Sequence, residues 1–295
     1  MRRRVAATML AAALAAGLTL LAAPGAAAAG KATVLAAGLR GATEVPGPGD
    51  PDGRGRAVVK LAGGKACFVL EWSGISAPTA AHIHTGRAGV AGPVAVLFFQ
   101  PGANAASLPD TLDAVAGCVD VDRDLARKIA ASPREYYVNV HTADFPDGAI
   151  RGQLHRAGHL GLDLPRQLTA RLSGANEVPP ADPDGRGLAF VRTGRQRACF
   201  AVGWTAITPP IFAHIHAGEA GDVGPVVVLF FDVPELAAGP PAELPATISA
   251  VAGCVEDQDP AVLRDIRRQP RDYYVNVHNA EFPGGAIRGQ LRRVA

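Results

Sequence analysis

The chain carries one domain-length pattern twice, so whatever fold it adopts must close a core within each copy. Ala81-His82-Ile83-His84 returns as Ala213-His214-Ile215-His216, and Tyr136-Tyr137-Val138-Asn139-Val140-His141 returns as Tyr273-Tyr274-Val275-Asn276-Val277-His278. Cys67 and Trp72 return as Cys199 and Trp204 at the same spacing. The period far exceeds the roughly 20–50 residues of solenoid repeats. The second copy is a few residues longer between its inner and outer marks.

Each copy reads as β. Ala57–Leu61, Cys67–Trp72 and Val94–Phe99 are short runs of strand formers bounded by Gly, Pro or Asp. Asp50-Pro51-Asp52-Gly53 and Asp182-Pro183-Asp184-Gly185 read as turns, with Pro setting φ and Gly accepting positive φ. One short helix is predicted per copy, over Asp122–Ala131 and Pro260–Arg268, with Pro133 and Pro270 just beyond as stops. Many short strands with long connections predict an all-β chain: two tandem antiparallel Greek-key β-sandwich or barrel domains, each with one short helix.

Ahead of the copies stand Arg2-Arg3-Arg4, an Ala/Leu-rich stretch and the small residues Ala26–Ala29. This is the layout of a secretory signal peptide over residues 1–29. The domains then run over 31–155 and 165–295, joined by a linker over 156–164. That linker is too short for free diffusion and implies a modest contact between the domains. No later segment is long and apolar enough to span a bilayer. The full chain has a formal net charge of +2, and loss of three arginines with the signal leaves it slightly acidic. That balance offers no footprint for nucleic acid. The expected product is secreted.

Export places the 4 cysteines in an oxidising compartment. A domain that recurs whole carries its own bridge, which selects Cys67–Cys118 and Cys199–Cys254 among the possible pairings. None lies in a Cys-x-x-Cys pattern, so the bridges read as structural.

Of the 8 histidines, all but His155 and His159 fall in the repeated motifs. On a strand, residues i and i+2 share a face. His82 and His84 project together while Ile83 faces the core, and Asn139 and His141 share a face while Val138 and Val140 take the other. If these strands are neighbours, His82, His84 and His141 converge, as do His214, His216 and His278. Three neutral imidazoles suit copper or zinc with a position left open. The same imidazoles can instead hydrogen-bond loop carbonyls and hold the turn Gly86–Pro93; both readings stand at this point. That turn and its copy Gly218–Pro225 keep their glycines but precede strands, not helices, so they read as loops needing glycine backbone rather than as phosphate sites. Arg151 and Arg288 recur in apolar strands, and Glu44 and Glu177 recur near each domain start. Pairs Glu44–Arg151 and Glu177–Arg288 would satisfy partly buried charges.

These motifs, with Leu172–Pro180 and Ile287-Arg288-Gly289-Gln290-Leu291, resemble the CHRD domain family, named for chordin. The resemblance covers nearly all of the chain after the signal and implies an immunoglobulin-like β-barrel. That family is in turn distantly similar to copper,zinc superoxide dismutases, where a His-x-His on one strand and a His on another hold copper. By that similarity the two histidine triads would be copper ligands. No bridging histidine and no His/Asp-rich zinc loop accompany them here. The leading expectation is a non-enzymatic extracellular binding or structural module whose partner is an extracellular protein or cell-surface ligand. The alternative is a copper-binding protein with redox or dismutase-like activity.

Overall fold

A computed structural model describes residues 32–102, 104–157, 168–236 and 239–294. The signal segment and most of the linker, His159 included, lie outside the described residues. The first copy contains β1 (Thr33–Arg40), β2 (Arg54–Ala62), β3 (Lys65–Ser73), β4 (Pro78–Thr85), β5 (Val94–Phe99) and β6 (Leu112–Asp120). It continues through α1 (Arg123–Ala131), β7 (Tyr136–Thr142), β8 (Ile150–Gln153) and β9 (His155–Arg156). The second copy repeats the order as β10 (Leu168–Ser173), β11 (Arg186–Thr193), β12 (Ala198–Thr205), β13 (Pro210–Ala217), β14 (Val226–Asp232), β15 (Ile248–Val255), α2 (Pro260–Arg268), β16 (Tyr273–Asn279), β17 (Ile287–Gln290) and β18 (Arg292–Arg293).

All ladders are antiparallel. Within the first domain they follow the order β5-β4-β7-β8-β1-β2-β3-β6. β3 and β4 are consecutive in the chain but lie in different halves, so the connection crosses over in the Greek-key manner. Among the described residues β5 pairs only with β4, and no ladder joins it to β6, so the sheet stays open there. Alternation fills the space between the halves. Phe68 stacks on Phe98 at 4.6 Å, and Phe200 stacks on Phe230 at 4.5 Å. Each such ring contributes about 1.5–3 kcal/mol by leaving water. Ile83, Ile215, Val138 and Val275 are fully buried, as their alternation with polar neighbours predicts.

The expected helices form and are capped. The Asp122 carboxylate accepts from the Asp124 and Leu125 amides, and Asp259 caps α2 ahead of Pro260. The two Asp-Pro-Asp-Gly turns also form, with Asp50 and Asp182 side chains accepting from the Asp52 and Asp184 amides. Their glycines serve a different need from the one expected. Gly53 and Gly185 do not have positive φ; a Cβ there would run into Ile150 and Ile287 of the opposing strands.

The disulfides are the expected ones, Cys67–Cys118 and Cys199–Cys254, with Cα atoms 3.9 and 4.0 Å apart. Each staples directly opposed residues of neighbouring strands, β3 to β6 and β12 to β15.

Contact between the domains exceeds what the linker implied. β6 pairs with β15, aligning Ala116 with Ala250, Val115 with Val251 and Ala114 with Ala252. The contact is reciprocal: the Cys118 amide donates to the Thr247 carbonyl and the Cys254 amide to the Thr111 carbonyl, both at 3.2 Å. One sheet therefore runs through both domains. Its far face buries a second small apolar cluster that includes Ala114, Ala116, Ala250, Ala252, Phe190 and Cys199. Small side chains there let the two domains approach closely.

Candidate metal centre

The centre of each domain's outer face is set by the ladder between β4 and β7, and between β13 and β16. In the first domain His82 lies opposite Asn139, and Ala80 lies opposite His141. Directly opposed residues share a face, so the three imidazoles meet. One nitrogen from each of His82, His84 and His141 falls within 4.8 Å of the others, and the same holds for His214, His216 and His278. One ion can bridge such a set after slight side-chain adjustment, since metal–imidazole bonds are about 2.0–2.1 Å.

The hydrogen bonds fix which nitrogens point inward. His84 Nδ1 meets the Gly92 carbonyl at 2.8 Å, and His141 Nδ1 meets the Pro146 carbonyl at 2.9 Å. A carbonyl only accepts, so both Nδ1 atoms carry the proton and both Nε2 atoms present a lone pair. His216 does the same with Gly224 at 2.7 Å, and His278 with Pro283 at 3.0 Å. The two readings left open by the sequence are thus compatible. His84, His141, His216 and His278 each tie down a loop with one nitrogen and free the other, an arrangement that orients ligands at metal sites. The freed atoms are His82 Nδ1, His84 Nε2 and His141 Nε2, with His214 Nδ1, His216 Nε2 and His278 Nε2 in the second domain. All six are buried without a hydrogen-bond partner. Buried polar atoms are rarely left so, and here they converge.

Protonation favours the same chemistry. Burial, with the neighbouring imidazoles His141 and His84, pushes His82 down to about 4. Burial likewise pushes His214 to about 3 and His278 to about 4. His84 and His216 are lowered by burial, against the opposing pull of their loop carbonyls. These five rings are neutral at neutral pH, the state in which imidazole binds metal.

A supporting layer lies behind the histidines. The Tyr137 ring stacks on His84 at 4.9 Å, and its hydroxyl accepts from the Gly92 amide at 3.2 Å. Tyr274 does the same for His216 and Gly224, at 4.7 and 3.3 Å. The Arg151 guanidinium lies 3.4 Å over the Tyr137 ring and donates to the carbonyls of Arg87 and Val90. Arg288 lies over Tyr274 and donates to the carbonyls of Asn176 and Asp222. The arginines thus brace the glycine loops that hold His84 and His216. Gly89 and Gly221 stand at φ +81° and +98°, as the repeated glycines predict.

The expected direct ion pairs are replaced by an interaction through space. Among the described residues no contact pair joins Glu44 to Arg151 or Glu177 to Arg288. The arginine donors go to loop carbonyls, and Glu44 accepts from the Asn139 amide at 3.2 Å instead. Burial raises both glutamates to about 7, while Arg151 and Arg288 pull them down from a distance. The sequence marks the charges but not their backbone acceptors, and it marks Tyr137 and Tyr274 only by their recurrence beside each motif. His155 is exposed on β9, apart from the site.

Two strands with a His-x-His and a third histidine, a cross-strand bridge and the closing Ile-Arg-Gly-Gln strand now stand in one arrangement, twice. The family model for the CHRD domain matches residues 35–154 and again residues 168–291. The chain belongs to the CHRD domain family. It is a tandem CHRD protein in which every residue of both histidine triads lies inside a matched segment. A comparison with curated proteins gave no match. No helix among the described residues is long and apolar enough to cross a membrane.

Proposed function

We propose that this tandem CHRD protein is a secreted binding module whose two domains each hold one transition-metal ion, copper or zinc. The observation that carries the reading is the convergence of three buried, unpartnered imidazole nitrogens in each domain. The donor set suits the group: three neutral imidazoles favour copper or zinc over hard cations, which take oxygen ligands. His82, His84 and His141 would hold one ion, and His214, His216 and His278 the other. Bound there, copper would supply a Lewis-acidic and redox-active centre. The protein's own residues fix the ligand rings: the carbonyls of Gly92 and Pro146 hold the Nδ1 protons, and Tyr137 and Arg151 hold the loop. The Cys67–Cys118 and Cys199–Cys254 bridges are compatible with an extracellular setting.

Metal analysis and copper titration of untagged protein test the reading. Titration should saturate at two ions per chain, and His84→Ala with His216→Ala should abolish tight binding. Absence of any saturable site would leave a module held together by the same histidines acting only as loop ties.

A further inference from the structure

We propose that the two metal centres differ in access, and that Phe212 sets the difference. The first centre leaves its metal open to a small external anionic donor, and the second shuts such a donor out. This inference rests on the metal reading above. Phe212 lies two residues before His214 and directly opposite His278, so it shares their face. Its ring stacks on His278 at 4.3 Å and tilts over His214 at 5.4 Å. The first domain has Ala80 at the matching place, opposite His141. The exposures follow: His214 and His278 are each 5 % exposed, whereas His82 and His141 are half-buried.

The other walls do not account for this. Leu97 and Val94 stand opposite His82 and His84, and Leu229 and Val226 stand opposite His214 and His216, so the neighbouring strand offers the same side chains in both domains. The glycine loops exchange Arg87 for Glu219, but both side chains point to solvent, Arg87 pairing with Glu135 at the surface. Three imidazoles would leave a bound copper ion with a coordination position to fill. Beside the first triad stands only the Ala80 methyl group; against the second stands the Phe212 ring.

The test loads the full-length chain with copper(II) alone and then titrates azide, reading the azide-to-copper absorption band and the electron paramagnetic resonance spectrum. Two bound ions per chain, of which half respond to azide, is the expected result. Extraction by a chelator should proceed in two phases of equal amplitude, the second slower by roughly 10–100-fold, the scale of outer-layer effects at metal sites. His216→Ala should keep the azide response and His84→Ala should lose it. Phe212→Ala should make both ions respond, and Ala80→Phe should silence both. With two ions loaded, a wild-type response from both or from neither overturns the inference, as does a Phe212→Ala protein that still responds by half. Wild-type loading below two ions would instead sink the metal reading itself. Ala80→Phe keeps the question answerable if Phe212→Ala fails to fold.

Discussion

The two histidine centres place the same imidazoles on the same strands, yet one stands beside Ala80 and the other against Phe212. What has been kept is everything that aims a nitrogen: the loop carbonyls at Gly92 and Gly224, the stacked tyrosines, the arginines over them. What has changed is a wall that aims nothing. The orientation of the imidazoles and their exposure are therefore set by different residues, and duplication lets one vary while the other is held.

The largest effect that can break this comparison comes from removing a ligand. His84→Ala should cost the first domain all tight copper binding and leave the second at one ion per chain, with His216→Ala giving the converse. Mass spectrometry of the loaded protein distinguishes this from a shared site, in which either substitution would empty both.

Next in size are the disulfides, which close chain segments of 51 and 55 residues. Replacing either pair with alanine should lower stability by about 4 kcal/mol in the chain-entropy model. The Cys199–Cys254 pair should cost more, because Cys199 is buried in the cluster between the domains while Cys67 is half-exposed. Urea unfolding of the two variants side by side checks the order.

A smaller effect is expected at the loop braces. Arg151→Met and Arg288→Met remove donors to the glycine loops and should weaken copper binding in their own domain by roughly tenfold, with the ligands intact. Loss confined to the mutated domain sharpens the comparison. Equal loss in both domains would mean that the arginines act on the shared sheet rather than on their own loops.

The smallest effects are those of pH on the apo protein. Glu44 and Glu177 sit at about 7 when folded, above their usual 4.5. The folded chain keeps protons there that the unfolded chain has released, so these groups lower stability as pH rises from 4.5 through about 7. The buried histidines act in the opposite sense. Their unfolded value is 6.5, and His82 falls to about 4 and His214 to about 3. Their contribution is present above pH 6.5 and is lost as pH falls toward those values. Glu177→Gln should therefore gain stability over wild type at pH 8 and converge with it near pH 4. Nuclear magnetic resonance of the imidazoles should show both His82 and His214 still neutral below the ordinary histidine value of 6.5.

Much of this was legible in the sequence because strands write their faces in alternate residues. Ile83 between two histidines and Val138 and Val140 around Asn139 state which side is core. Recurrence then chose the disulfides and the triads. Other features depend on contacts that no single segment records. Whether Arg151 meets Glu44 or the carbonyls of Arg87 and Val90 depends on where a loop distant in sequence folds back. Gly53 looked like a conformational glycine and is instead a gap left for Ile150. The join between the domains had a trace in Ala114-Val115-Ala116-Gly117 and Ala250-Val251-Ala252-Gly253, small residues alternating on a strand. Nothing in either run says that its partner is the other run.

The reciprocal ladder between β6 and β15 has a consequence for how such a molecule can exist at all. A lone copy would display an unpaired row of amide and carbonyl groups along β6, the template on which strands from other molecules add. Its best-matched partner would be a second copy of itself, meeting through one self-complementary edge as in a two-fold dimer. Tethering the copies in one chain sets the effective concentration of that partner on the order of mM for a short link. The pairing then survives any dilution, and the edge that would have made fibres or transient dimers is permanently spent inside the molecule.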